Sequence, residues 1–239
     1  MFVDFYRDFI FYLEIIAAIV AIITYKKYRF TESRYFLYLL LITVLVETVG
    51  LIPFYNYYYP NHSIIRSLKS VLGKELVRTN IWLYNIFKII TYFIYLFFFY
   101  KILSAKNKKI ALVLLYLFLL FALIDVMMNL NTFNSKYIPI TRISGALIYM
   151  ILSFLYFAEV MGDDRILTFH KTLPFWIIIG ALIFNLATVP IFIFSKQLDF
   201  SQQTYRVILN LSNIILYGSF ITGFITNARV QKGEKAPQP

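Results

Sequence analysis

Residues 82–103 read WLYNIFKIITYFIYLFFFYKIL, a run of 22 residues that is apolar throughout its length except for Asn85, Lys88 and the flanking Lys101. About 20 apolar residues are needed for a helix to cross the ~30 Å hydrocarbon core of a bilayer. The run is continuous rather than alternating, so it reads as a helix and not as a barrel strand. It therefore predicts a membrane span with an amine inside its first half. An ionisable group at that depth costs ~3 kcal/mol on insertion scales, and such groups usually face a partner or a cavity.

Working outward, six similar runs appear. The predicted spans are residues 9–25, 35–55, 82–103, 109–128, 143–161, 174–195 and 207–226. Composition agrees: 60% of the 239 residues are hydrophobic, 20% are aromatic and only 15% are charged, against roughly 45–50% apolar and ~25% charged in a soluble domain. No polar stretch is long enough to build a separate core. The fold class expected is all-α, a single polytopic seven-helix domain over residues 1–228, followed by a disordered cytoplasmic tail at 229–239. The first segment is read as a retained span and not a signal peptide. Glu14 interrupts it, and Tyr25, Lys26 and Lys27 stand where small residues precede a cleavage site.

Basic residues set the expected orientation. Lys26, Lys27, Arg29 and Arg34 link spans one and two. Lys101, Lys106, Lys108 and Lys109 link three and four. Arg229, Lys232 and Lys235 follow span seven. The positive-inside rule then places the N-terminus outside and the C-terminus in the cytoplasm of a plasma (inner) membrane. The link at 56–81 also carries Arg66, Lys69, Lys74 and Arg78, but long links weigh less in that rule. Within it, Ile64, Ile65, Leu68, Val71, Leu72 and Leu76 recur at helical spacing. This predicts one amphipathic helix on the membrane surface, either a lid packed on the bundle or a gate over a cavity. Tyr55, Tyr57, Tyr58 and Tyr59 before it suit the headgroup layer.

The orientation turns isolated polar residues into a layer. Counted from the outer ends at 1.5 Å per residue, Glu14 lies ~8 Å deep, Glu47 ~12 Å, Lys88 ~9 Å, Asp125 ~5 Å, Asn85 and Asn210 ~5 Å, Asn213 ~9 Å and Asn185 ~15 Å. Asn129 closes the same end of span four. The opposite half of each span offers little beyond Thr, Ser and Tyr. Two readings compete. In one, Lys88 forms a register-fixing ion pair with Glu14 or Asp125, and asparagines bridge neighbouring helices. In the other, these residues surround an outward-facing pocket for a small polar ligand or ion, with Tyr92 and Tyr217 beside it.

A weak internal similarity accompanies the layer. Asn85, Lys88 and Tyr92 of span three match Asn210, Asn213 and Tyr217 of span seven in spacing, and spans two and six each end near a proline, Pro53 and Pro190. Together these suggest a 3+1+3 parallel repeat. The layout is similar to that of sugar-type SWEET transporters and of microbial rhodopsins, without the motifs of either. Pro237-Gln238 lies in the tail, and span seven holds no lysine for retinal.

Several chemistries are excluded or unprompted. The chain has no cysteine and only two histidines, His62 and His170, on opposite predicted sides, so no metal cofactor is expected. No phosphate loop or nucleophile elbow is present. The net charge of +11 is split among short links, which suits anionic lipid and not nucleic acid. Glu159, Asp163 and Asp164 read as solvated charge or as a contact for a basic partner. The isolated glycines read as helix-packing positions. The function expected is a non-enzymatic receptor or sensor in the lipid bilayer that signals to a separate cytoplasmic partner. The alternatives are a small-solute or ion transporter, or a structural subunit alongside other membrane subunits.

Overall fold

The computed structural model describes residues 2–162, 168–194 and 202–233; side chains are described from Phe9 onward, except at 202, 205 and 231–233. Among the described residues the chain is helical and has no strand. Seven helical segments are long and apolar enough to cross a membrane. The long helices are α1 (Phe2–Tyr28), α2 (Tyr35–Gly50), α6 (Ile81–Ile102), α7 (Ala105–Met128), α8 (Pro139–Met161), α9 (Leu173–Phe194) and α10 (Gln202–Gly233). Three short ones, α3 (Ile52–Tyr58), α4 (Ser63–Leu72) and α5 (Lys74–Arg78), join α2 to α6.

Six long helices form a closed ring. α1 packs on α2, α2 on α6, α6 on α8, α8 on α9, α9 on α10, and α10 returns to α1. α7 stands outside the ring, against α6 and α8. Its free face carries Val113, Tyr116, Leu120, Leu123, Met127 and Met128, all exposed. In water such a face would be an aggregation hazard; between lipid chains it is an ordinary surface.

Two acids clasp α7 to α8, one at each end. Asp125, fully buried near the end of α7, accepts from the Thr141 backbone N–H at 2.6 Å with Oδ2 and from Asn129 Nδ2 at 2.9 Å with Oδ1. Thr141 lies in the first turn of α8, whose leading N–H groups have no partner within the helix. At the other end Glu159, late in α8, accepts from the backbone N–H and hydroxyl of Ser104 and from Asn107 Nδ2. Those groups lie at the cap and first turn of α7. Each carboxylate thus meets the positive end of the neighbouring helix.

Three expectations change here. The second span bends: α2 stops at Gly50, and α3 resumes with Pro53 in its first turn, where its missing N–H costs nothing. The single amphipathic helix of 63–78 is two helices, because Gly73 at φ 88° breaks the run. Only a residue without Cβ adopts that conformation freely. Ile64 and Val71 remain exposed on α4, while Ile65 is buried. The last helix continues through Gly233, so the start of the expected tail is helical; 234–239 lie outside the described residues.

Candidate functional site

A cavity of about 1190 Å³ opens within the ring, lined by residues from α1, α2, α3, α6, α8, α9 and α10. Its mouth is formed at one end of the bundle, by early residues of α1, α6, α8 and α10 and late residues of α2 and α9, and its lining continues past mid-helix to Leu39 and Leu40 of α2, Tyr95 of α6 and Phe220 of α10. The lining runs from exposed Tyr12, Tyr55 and Tyr137 down to buried Leu40, Tyr95 and Phe220.

Beneath that floor the ring is filled by aromatic side chains. Phe36 meets Phe98 at a ring-centroid distance of 4.9 Å, Tyr95 at 5.3 Å and Phe220 at 5.8 Å. Tyr149 meets Tyr95 at 4.9 Å and Phe99 at 5.4 Å, and its hydroxyl donates to the Ile178 carbonyl at 3.0 Å. Tyr28 and Phe224 continue the packing at 5.0 Å. Phe36, Phe98, Phe99 and Tyr149 are fully buried. Tilted and edge-on rings of this kind pack at interior density.

The charged wall residues come from adjacent helices. Glu14 of α1 is buried beside Tyr217 of α10, and its Oε2 has no hydrogen-bond partner. Glu47 of α2 accepts from the Tyr84 hydroxyl at 2.8 Å. Lys88 of α6 is half-buried, with Nζ 5.6 Å from the Tyr92 ring centre and 5.8 Å from that of Phe184. Arg142 of α8 lies over Tyr137 at 4.1 Å and Phe192 at 5.6 Å. Among the described residues no carboxylate pairs with Lys88. The ion pair of the first reading, with Glu14 or Asp125, is absent among the described residues, and Asp125 is instead committed to the start of α8.

Polar neutral groups complete the wall. The Tyr92 hydroxyl donates to Asn185 Oδ1 at 3.0 Å, while Asn185 Nδ2 donates to the Ala181 carbonyl at 2.7 Å. This bond ties α6 to α9 across the ring. It needs Gly145 on α8: a Cβ there would come within 2.4 Å of the Tyr92 ring. Asn210 and Asn213 of α10 line the upper wall.

Of the residues singled out from the sequence, the structure brings together Glu14, Glu47, Lys88, Tyr92, Asn185, Asn210, Asn213 and Tyr217 on one cavity. Asn85, Asp125 and Asn129 lie outside it. Asn85 is fully buried; its Nδ2 donates to the Phe133 and Lys136 carbonyls, each at 2.9 Å, and its Oδ1 accepts from the Ile138 N–H at 3.2 Å. It anchors the α7–α8 link. The cavity stripe of α6 is instead Tyr84, Phe87, Lys88, Thr91, Tyr92 and Tyr95, residues spaced for one helix face. Neither α4 nor α5 contributes to the wall, so this cap stands beside the mouth; Trp82 Nε1, donating to the Leu76 carbonyl at 3.1 Å, pins it to α6. Glu159 is bound to α7, and Asp163 and Asp164 lie outside the described residues.

The sequence reading missed Arg142, Tyr84 and Arg206. Spans starting at 143 and 207 leave Arg142 and Arg206 one residue outside, in the links, although Pro139 marks the start of α8 and puts Arg142 one turn inside it. Tyr84 was legible four residues before Lys88. Comparison with family models, with curated proteins and with solved structures finds no match, so the chemistry of this wall is the ground for a functional reading.

Proposed function

We propose that the chain is a non-enzymatic seven-helix receptor or sensor. It admits a small polar ligand or ion into the cavity from outside the cell and passes a change in helix packing to a separate cytoplasmic partner. The observation that carries this reading is the floor: a large cavity that holds several charged and amide side chains ends on Leu40, Tyr95 and Phe220, with buried aromatic packing below. A closed inner end suits signal transfer through packed helices and does not suit passage of a solute. The orientation in this reading is supported by the basic links at 26–34 and 101–109 and by Arg229, which the positive-inside rule assigns to the cytoplasm, opposite the cavity mouth.

The second reading, a small-solute or ion transporter, is favoured by the ring order. Replacing α1, α2 and α6 by α8, α9 and α10 maps every contact of the ring onto another, as a 3+1+3 parallel repeat requires. The third, a structural subunit, draws less support: Glu14 and Asp125 are buried and Glu47 and Lys88 face the cavity, so none of the four presents a charge to lipid.

Because the chain has no native cysteine, single thiols separate these readings. Asn213→Cys is expected to react with a membrane-impermeant maleimide from outside. Ser153→Cys, fully buried in the lower half, is expected to stay unreactive from both sides. Labelling of Ser153→Cys from the cytoplasmic side would favour the transporter, which must hydrate that half in one of its states.

A further inference from the structure

We infer that the end of the bundle opposite the cavity mouth carries a site for an anionic phospholipid, whose phosphate is held by Arg34, Lys101 and Lys108 and whose acyl chain lies along Phe97 and Phe93 of α6. The site is separate from the cavity and stands whatever enters there.

An aromatic strip runs along the side of α6 turned away from the cavity. At 3.6 residues per turn, Phe93, Phe97 and Tyr100 share one side of the helix, about half a turn from Lys88, Thr91 and Tyr95. Phe93 and Phe97 stack at 5.9 Å with their planes 11° apart, and Tyr100 follows Phe97 at 6.0 Å. Tyr35 of α2 meets Phe97 edge-on at 5.5 Å. In the ring α6 stands between α2 and α8, and α7 packs on α6 from the α8 side. A strip of α6 is left open between α2 and α7, where Ile86 and Phe93 are exposed. Three cations from three helices gather at the far end of this strip. Arg34, at the N-cap of α2, has its guanidinium carbon 5.4 Å from the Tyr35 ring centre. Lys101, near the end of α6, has Nζ 5.2 Å from Phe97 and 5.6 Å from Tyr100. Lys108, in the first turn of α7, has Nζ 4.9 Å from Tyr100. The two lysines share one ring, and all three cations share one aromatic cluster.

A ring face attracts a cation, but two ammonium groups on one ring repel each other. Among the described residues no carboxylate pairs with Lys101 or Lys108. Two described acids lie at this end. Glu159 is bound to Ser104 and Asn107. Glu32, two residues before Arg34, acts on that arginine and still leaves the three cations in excess. The other described lysines and arginines of these links, Lys26, Lys27, Arg29, Lys106, Lys109 and Lys171, add to the same sign. A phosphate suits the cluster, because a guanidinium can grip two of its oxygens while each ammonium adds a donor. The strip decides for a lipid over a free phosphate. Phe93 is eight residues before Lys101, about 12 Å along the helix axis, which fits inside one leaflet of a core ~30 Å thick. A molecule with its anion at Lys101 and its apolar part at Phe93 has the build of a phospholipid standing in the bilayer. Basic pockets between spans recognise anionic headgroups in this way. Bound there, the lipid touches α2, α6 and α7 together. It is a third fastening of α7 to the ring, beside the clasps of Asp125 and Glu159.

The test uses the full chain purified in detergent and stripped of lipid, at about 0.15 M salt, where distant exposed charges are screened. Native mass spectrometry reads the lipid retained, and thermal unfolding reads its effect. The probes are phosphatidylglycerol, phosphatidylcholine and, for the free anion, glycerol phosphate. Phosphatidylglycerol is expected to be retained about tenfold or more over phosphatidylcholine and to raise the thermal midpoint. Lys101→Gln/Lys108→Gln is expected to lose about tenfold or more of that retention. Lys106→Gln/Lys109→Gln removes two exposed charges from the same link and is expected to lose about twofold or less. Glycerol phosphate is expected not to compete. The inference is overturned if both lipids are retained alike or if the two double variants lose equally. It is also overturned if glycerol phosphate displaces the lipid, which would make the cluster a site for a soluble anion. Where a variant fails to fold, phosphatidylglycerol with a photoreactive acyl chain is cross-linked to the unaltered protein. Attachment within 86–108 supports the site, and attachment confined to other spans overturns it.

Discussion

Ionisable and amide side chains in the spans divide by what they touch, and the division sets what each can be asked to do. Asn85 makes three hydrogen bonds to the backbone of the α7–α8 link, and Asp125 holds the first turn of α8. Asn85→Ala would leave two carbonyls and one N–H without their partner. It is expected to lower stability by about 2 kcal/mol, read as an earlier thermal midpoint in detergent. Lys88→Met removes no ion pair and is expected to leave the midpoint unchanged or raised, because a half-buried charge is exchanged for an apolar chain of similar length. A large loss of folded protein in Lys88→Met would return the residue to a structural role. This contrast was only half legible in the sequence. Rise per residue gives the height of Asn85, Lys88 and Asp125 in a span, but not the side of the helix that meets a neighbour. Asn85 and Lys88, three residues apart, share a broad face, yet one turns to a loop and the other to the cavity. Arg142 was hidden for the opposite reason: with Pro139 beside it, it looked like part of a link.

Helices here are held by close approach more than by propensity. The long apolar runs made the seven spans legible, since each must satisfy its backbone internally in lipid. The break at Gly50–Pro53 and the division of 63–78 at Gly73 depend on local backbone conformation that an apolar count does not register. Gly145 is the contact most exposed to test at this scale. In Gly145→Ala the new Cβ must displace the Tyr92 ring, and with it the hydroxyl that reaches Asn185. The expected cost is about 1–3 kcal/mol of overpacking strain, with greater thiol reactivity of Asn213→Cys in the same background as the floor loosens. An unchanged midpoint and unchanged reactivity would show that α6 and α8 can part without consequence.

The molecule as a whole is a ring closed between its first and last helices, with α7 as an outer brace. Ring order could not be read from the sequence, because hydrophobic length marks a span without saying which spans touch. The pairing of α1 with α10 joins elements about as far apart as the chain permits, and it brings Tyr217 to Glu14. During synthesis α1 therefore enters the bilayer with its buried glutamate and waits for nearly the whole chain before its partner arrives. A chain ended after residue 194 is expected to be extracted poorly and degraded quickly, measured by pulse-chase; one ended after Gly233 is expected to persist like the full length. The waiting glutamate also gives a quality-control system a simple cue. An acid that has not yet met its tyrosine marks an unfinished molecule, and the same meeting that completes the cavity removes the mark.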